Sequence, residues 1–266
     1  MYETNYHRPS SVEDALALFK KGSDSKYLAG GHTLIPVMKQ RLAQPSDVID
    51  LARIPALVGI SASADALTIK AATTYYDIMT NKDVAKAIPA IAHLTSVLGD
   101  PAVRYKGTIG GSIANNDPAA DFPAAVVALD ATVKTNKRSI KADDFFKGLF
   151  ATALEDGEII TEISFPVPAK AAYSKMRHPA SRFALTGVFV VKTKSGDVRV
   201  AATGASETGV MRVPDIEKAL KANWSAGSID AVKISPNGLM SDIHGTAAYR
   251  ANLVKVMAQR AVTDAG

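Results

Sequence analysis

The sequence predicts an α+β protein of three small lobes, with strands and helices segregated along the chain. Three observations carry that expectation. Short apolar strands alternate with capped, amphipathic helices through the first half. Two Gly-Gly segments, Ala29-Gly30-Gly31-His32-Thr33-Leu34 and Thr108-Ile109-Gly110-Gly111-Ser112-Ile113, follow or interrupt apolar sequence there. A proline stop at Pro166 and Pro168 precedes a final part that begins with strands and ends with helices.

The elements follow in order. Ser10 or Ser11 caps a first helix, Glu13 and Asp14 sit in its positive first turn, Ala15, Leu16, Leu18 and Phe19 give its apolar face, and Gly22 ends it. Residues 26–29 read as a strand running into the first Gly-Gly turn. Residues 33–41 read as a helix with Leu34, Val37, Met38 and Leu42 on one side, and 47–51 as another strand, which makes a small β-α-β unit. Strands at 58–60 and 67–71 flank a turn at Asp65. Thr74 precedes a helix through Ile78, and 85–98 reads as a second helix with Pro89 near its start or at a break. A short helix at 123–129, strands at 132–135 and 139–141, and a clear strand at 158–165 follow. Beyond the prolines, 171–176, 188–191 and 197–201 read as strands. Residues 216–222 and 249–262 read as helices, the second amphipathic through Leu253, Val256, Met257 and Arg260. The lobes are therefore placed at 1–56, 57–168 and 169–266.

Composition narrows the function. The chain of 266 residues is 47% hydrophobic and 21% charged, ordinary for a globular protein with a sizeable core. No apolar run approaches the ~20 residues that span a bilayer. The polar start, Met1-Tyr2-Glu3-Thr4-Asn5-Tyr6, carries no signal-peptide core, so a cytoplasmic protein without a transmembrane segment is expected. The absence of cysteine excludes disulfides, thiolate-bound zinc or iron–sulfur clusters, a thiol nucleophile and a cysteinyl–flavin bond. His7, His32, His93, His178 and His244 lack metal-ligand spacing, and no metal site is expected. The net charge of +5 is scattered, with one modest cluster from Lys134 to Lys141. No nucleic-acid partner is expected, although an anionic cofactor or an acidic partner surface would use the surplus.

The Gly-Gly segments carry the chemistry. Glycine lets backbone approach a ligand closely, and successive N–H groups form an anion-binding nest. Two such turns can hold one extended anionic ligand, such as a dinucleotide, between them. Thr108 and Ser112 add hydroxyl donors, and Asn115 and Asp121 suit a ribose or another hydroxyl-bearing group. Asp117-Pro118 and Asp121-Phe122-Pro123 equally suit turns and helix caps. There is no GxGxxG fingerprint, no P-loop and no GxSxG elbow, and no carboxylate pair stands out as an acid/base dyad. No catalytic residue is assigned; the pattern is that of a cofactor holder.

These segments resemble the FAD-binding medium subunit of molybdenum hydroxylases of the carbon-monoxide-dehydrogenase and xanthine-dehydrogenase type. AGGHTL and TIGGSIANNDPAADFPAAVVALDA match in sequence and separation, and GEIITEISFP, YSKMRHPASRFALTGV and SDIHGTAAYRANLV follow in order. The resemblance covers nearly the whole chain. It implies a two-lobed FAD-binding domain of the vanillyl-alcohol-oxidase (PCMH) type plus a C-terminal α+β domain. It implies FAD bound noncovalently, with Ala29, Gly30, Gly31, His32, Thr33 and Leu34 and with Thr108, Ile109, Gly110, Gly111 and Ser112 around the pyrophosphate. Asn115 and Asp117 would lie beside the cofactor, Asp121 at its ribityl or adenosine side, Leu98 and Gly99 packed near it, and Ile160 against a ring. Lys175 corresponds to a family lysine near the flavin, and is also a plain strand lysine. His32 reads as a turn residue near the phosphates.

The same resemblance implies that a large molybdopterin-binding partner oxidises the organic substrate. A small partner with two 2Fe-2S clusters would pass the electrons on, and FAD would deliver them to an external acceptor. The complex would be a dimer of heterotrimers. Two other readings remain at this stage: a stand-alone FAD-dependent oxidoreductase, and a non-enzymatic polyanion-binding module.

Overall fold

Local signals build the first lobe much as the sequence suggests. In the structure, a computed structural model describing residues 1–266, β1 (Asn5–His7) leads into α1 (Val12–Lys21). Ser11 caps α1 by accepting the Asp14 N–H, and Gly22 follows its last turn. Then come β2 (Ser25–Leu28), α2 (Leu34–Lys39) and β3 (Asp47–Asp50). The strands pair in parallel in the order β1-β3-β2. α2 is shorter than the helix expected over 33–41. Arg41 takes a left-handed conformation (φ 61°), and the Leu42 N–H bonds back to the Val37 carbonyl at 3.0 Å. That turn closes the helix and throws Leu42 off its face, leaving it 73% exposed while Met38 is buried.

The second lobe begins with the β4 (Ile60–Ala62) and β5 (Ala66–Lys70) hairpin. Six short helices follow: α3 (Tyr75–Thr80), α4 (Lys82–Ala87), α5 (Pro89–Ser96), α6 (Pro101–Lys106), α7 (Ile109–Asn115) and α8 (Phe122–Ala128). The helix expected over 85–98 is divided at Ile88, because Pro89 has no N–H to continue a ladder and instead takes the first position of α5. β6 (Thr132–Thr135), β7 (Ser139–Lys141), α9 (Ala142–Phe145), β8 (Phe146–Gly148), β9 (Ala151–Thr152) and β10 (Ile160–Pro166) complete it. β10 lies at the centre of a five-stranded antiparallel sheet, β4-β5-β10-β6-β7.

The C-terminal part is an antiparallel meander, β11 (Lys170–Arg177), β12 (Ala184–Lys192), β13 (Val198–Ser206) and β14 (Gly209–Arg212), with α10 (Pro214–Ala222) and α11 (Ala247–Ala265) against it. β12 is covered on both faces, which explains why every residue from Ala184 to Val191 is buried. Val188 and Val190 pack towards α10 and α11, with Ile216, Leu220, Val254 and Met257. Tyr173, Phe189, Val191 and Ala201 instead join Phe122, Ile109 and Ile113 in the core of the second lobe. The C-terminal sheet and the helices of the second lobe thus share one core.

Three of the four cations in the modest basic cluster, all but Lys141, form ion pairs. Lys134 meets Glu162 at 3.2 Å, Lys137 meets Glu155 at 2.9 Å, and Arg138 meets Glu158 at 3.0 Å. Glu158 is the buried member, accepting also from Thr135 Oγ1 at 2.6 Å and the Glu155 N–H at 2.8 Å. Burial by itself pushes this carboxyl up, but the Arg138, Glu155 and Thr135 donors outweigh it and hold it at about 2. Its folded value lies below its unfolded one of about 4.3, so its stabilisation is complete above that value and is lost as pH falls towards about 2. With the partial exposure of Arg138 discounted, Glu158→Gln is expected to cost about 2 kcal/mol at neutral pH. In urea unfolding at a series of pH values, the gap between parent and variant should close below about pH 4; a gap that stays constant to low pH would refute the assignment.

A cleft between two glycine segments

A cleft of about 740 Å³ runs between the β2–α2 connection and the segment from α6 into α7. That volume lies within the range of small-molecule and cofactor sites. The close approach of its two walls depends on missing side chains. A Cβ on Gly30 would stand 2.2 Å from the Lys106 carbonyl oxygen and 2.7 Å from the Gly107 Cα. One on Gly110 would stand 2.7 Å from the Ala71 carbonyl, and one on Gly107 would enter the Tyr75 ring at 2.4 Å. Gly31 turns the chain with φ 74°, a conformation that L side chains adopt only under strain. The first lobe is therefore laid backbone on backbone against the second.

The two glycine segments do different work. The first is a turn, as expected. The N–H groups of Gly30, Gly31, His32 and Thr33 find no acceptor within the protein, and all four residues line the cleft. This is an anion nest in the physical sense, a run of adjacent donors without internal partners. The second segment is a helix start, contrary to the turn expected from sequence. Thr108 caps α7 by accepting the Gly111 N–H at 3.1 Å. The other N–H groups are also taken: Ile109 by Thr73 O, Gly110 by Ala71 O at 2.9 Å, and Ser112 by Thr108 O at 3.0 Å. Adjacent glycines are tolerated in this helix because the backbone beneath leaves no room for a Cβ on Gly110. The second segment thus offers the cleft a smooth backbone surface and the Ser112 side chain, while Thr108 Oγ1 is committed to its cap.

The loop from α7 to α8 forms the far wall. Asn116 ends α7 in the left-handed region (φ 45°) and donates to the Gly148 and Ala151 carbonyls at 2.7 and 2.9 Å. Asp117 lines the cleft and accepts the Ala119 N–H at 2.8 Å in a tight turn. Asp121 is 3% exposed and does not cap α8. Its Oδ1 instead accepts from Tyr173 at 2.5 Å and from Lys175 Nζ at 2.8 Å. Burial raises the Asp121 carboxyl, and Lys175 opposes that rise. The loop is clasped from the C-terminal sheet as well, by Thr203 Oγ1 on the Pro118 and Ala120 carbonyls and by the Gly204 N–H on Pro118 O at 2.7 Å.

The structure brings most of the sequence-nominated residues to this cleft. Ala29, Gly30, Gly31, His32, Thr33, Leu34, Leu98, Thr108, Gly110, Gly111, Ser112, Asn115, Asp117, Asp121 and Ile160 all line it. Gly99, Ile109 and Lys175 do not. Gly99 packs against Val103, Ile109 is buried in the core, and Lys175 reaches the cleft only through Asp121. With its side chain 1% exposed, Lys175 is no solvated strand lysine, and Asp121 balances its charge at contact. Sequence reasoning missed Tyr75, Glu158 and Phe183 in the lining and Tyr173 behind it. Tyr75 follows the capping Thr74 and stacks on Phe122 at 5.5 Å, and burial pushes its phenol up to about 12. Only the Thr74 cap signalled its position in the chain. No helix is long and apolar enough to cross a membrane.

Comparison with known proteins places this geometry. Residues 2–168 match the family described as the FAD binding domain in molybdopterin dehydrogenase. The chain is 35% identical over 275 residues to the carbon monoxide dehydrogenase medium chain of Hydrogenophaga pseudoflava, spanning 98% of this chain and 96% of that one. It is 36% identical over 277 residues to the nicotine 6-hydroxylase medium subunit of Paenarthrobacter nicotinovorans, with coverage of 98% and 96%. Among solved structures, a chain of reconstituted CO dehydrogenase from Oligotropha carboxidovorans superimposes with a TM-score of 0.90 at 36% identity, covering 99% of this chain and 98% of that one.

The glycine packing yields a direct test. Gly30→Ala should lower the thermal midpoint by several degrees, since a backbone clash at 2.2 Å requires the lobes to shift apart. Gly227→Ala, where the nearest atom to a new Cβ is 3.9 Å away, should change it little. Equal midpoints for the two variants in calorimetry would show that the lobes do not depend on this contact.

Proposed function

The chain belongs to the family of FAD-binding medium subunits of the molybdopterin-dependent dehydrogenases, the FAD-carrying, electron-transferring components of multi-subunit molybdenum hydroxylases, and from that premise we propose that FAD is held noncovalently in the cleft between the two glycine segments. The observation that carries the proposal is the run of unsatisfied N–H groups from Gly30 to Thr33 facing a cleft that a Cβ on Gly30 would disrupt. The donor set fits a dinucleotide. Successive N–H groups suit a pyrophosphate, Ser112 adds a hydroxyl, Asp121 supplies an acceptor for a cofactor hydroxyl, and Leu98 and Ile160 give apolar walls.

Bound FAD supplies the chemistry, taking up electrons singly and releasing them in pairs. The chain's own task is to bind, orient and enclose it. Electrons would arrive from the 2Fe-2S clusters of a small partner, which receives them from a large molybdopterin-binding partner. We place the protein in the cytoplasm, in a dimer of heterotrimers. The lobes would divide as 1–56 and 57–168 about the cofactor, with 169–266 as the C-terminal flavoprotein domain. A stand-alone oxidoreductase is disfavoured because the carboxylates lining the cleft are already engaged, Asp117 by Ala119, Asp121 by Tyr173 and Lys175, and Glu158 by Arg138. A polyanion-binding module is disfavoured because three of the four cations in the basic cluster are ion-paired.

The test is to purify the full chain, alone and co-expressed with its molybdenum and iron–sulfur partners, then precipitate it with acid. One FAD per chain, released to the supernatant, is expected. A colourless protein in both forms, or flavin retained in the pellet, would overturn the proposal.

A further inference from the structure

Two donors converge on one oxygen of Asp121 and leave the other alone. Tyr173 and Lys175 both bond Oδ1, whereas Oδ2 has no partner within the protein. Oδ2 is not sealed in, and Asp121 lines the cleft. Room for the Tyr173 hydroxyl is built into the neighbouring strand. A Cβ on Gly187 of β12 would stand 2.2 Å from that oxygen, so only glycine admits it. The ring is itself fixed, 1% exposed and packed beside Phe189 with centroids 6.0 Å apart.

We propose that Tyr173 is a positioning residue for the cofactor. With Lys175 it ties down Oδ1 of Asp121, so that Oδ2 alone faces the cleft as the acceptor for a hydroxyl of the bound dinucleotide. The inference rests on the reading of the cleft as the FAD site. The charged and titratable groups facing Asp121 are Lys175, Tyr173 and Arg177 from β11 and Tyr75 from α3. Burial pushes the Asp121 carboxyl up; Lys175, then the Tyr173 hydroxyl, then Arg177 pull it back. Burial and the Asp121 charge hold the Tyr173 phenol well above its usual range, so it remains a donor. Removing the hydroxyl therefore has two consequences. Oδ1 is left held by Lys175 alone, and as pH falls the ionised, accepting form of Asp121 is lost at a higher pH.

The experiment titrates FAD into FAD-free protein, as the full chain and as the assembled complex, across a pH series, and reads affinity from flavin fluorescence. Tyr173→Phe should weaken binding about tenfold near neutral pH and move the midpoint of the pH profile upwards. Asp121→Asn should weaken binding and flatten the profile, and adding Tyr173→Phe to it should cost nothing more. An unmoved midpoint, or an equal loss in the Asp121→Asn background, would overturn the positioning role. Should Tyr173→Phe not fold, 3-fluorotyrosine placed at position 173 keeps the shape and strengthens the donor; the midpoint should then fall, and a midpoint that stays put or rises overturns the role. Parent protein that binds no FAD in either form overturns the cofactor reading itself, whereas a parent that binds with unshifted variants overturns this inference alone.

Discussion

The contact between bare backbones at the lobe junction is the constraint on which the structure depends. Gly30 lies on the Lys106–Gly107 peptide, and Gly110 lies on the Ala71 carbonyl. Because no side chain intervenes at Gly30, the unsatisfied N–H groups of the β2–α2 turn belong to the lining of a cleft whose opposite wall is the second lobe. An anion nest on an isolated turn competes with water for its ligand. Set in a walled cleft, the same donors act where water is partly excluded and each charge-assisted bond counts for more.

The division of labour between the glycine segments follows from their surroundings. The first has a positive-φ glycine, and the Lys106–Gly107 backbone beside Gly30 accepts none of its N–H groups, so its donors stay free. The second enters a helix whose early N–H groups are taken by Thr73, Ala71 and Thr108. Similar glycine pairs therefore differ in use: Gly30 and Gly110 both permit close packing, but only the first pair also presents free donors. The far wall depends on the C-terminal sheet, which reaches over with Tyr173, Lys175, Thr203 and Gly204 to hold the loop that carries Asp117 and Asp121. Buried Arg250 of α11 braces that sheet by donating to the Leu185 and Gly204 carbonyls.

Much of this was legible in the sequence where the signal was local. Ser11, Thr74 and Pro89 mark helix starts by chemistry that acts within one turn, and the strands at 47–50 and 160–166 announce themselves by Val48-Ile49 and by the alternation of Ile163 and Phe165 with polar residues. The nominated residues were drawn from long motifs, and most of them line one cleft. What escaped is what neighbours decide. Gly110-Gly111 looks like a turn until Ala71 is placed beneath it. Leu42 continues the helical period, yet Arg41 ends the helix first. Lys175 looks like a strand lysine until Asp121, distant in sequence, is set against it. Tyr173 opens the YSKMRHPASRFALTGV segment, but that segment assigns it no task, which only the cross-strand space left by Gly187 reveals.

The clasp on the loop also orders events in time. The Thr203 hydroxyl and the Pro118 carbonyl are 85 residues apart in the chain, so on the ribosome the loop emerges well before the strand that holds it. Domains tend to fold as they are synthesised, and contacts of large sequence separation form late. The nest at Gly30–Thr33 and its opposing helix can thus assemble while the Asp117–Asp121 loop is still unsupported. The cleft acquires its far wall only when β11 to β13 have been made and α11 has seated Arg250 behind them. The wall that carries Asp117 and Asp121 is therefore the last part of the cleft to be braced, after the nest it faces.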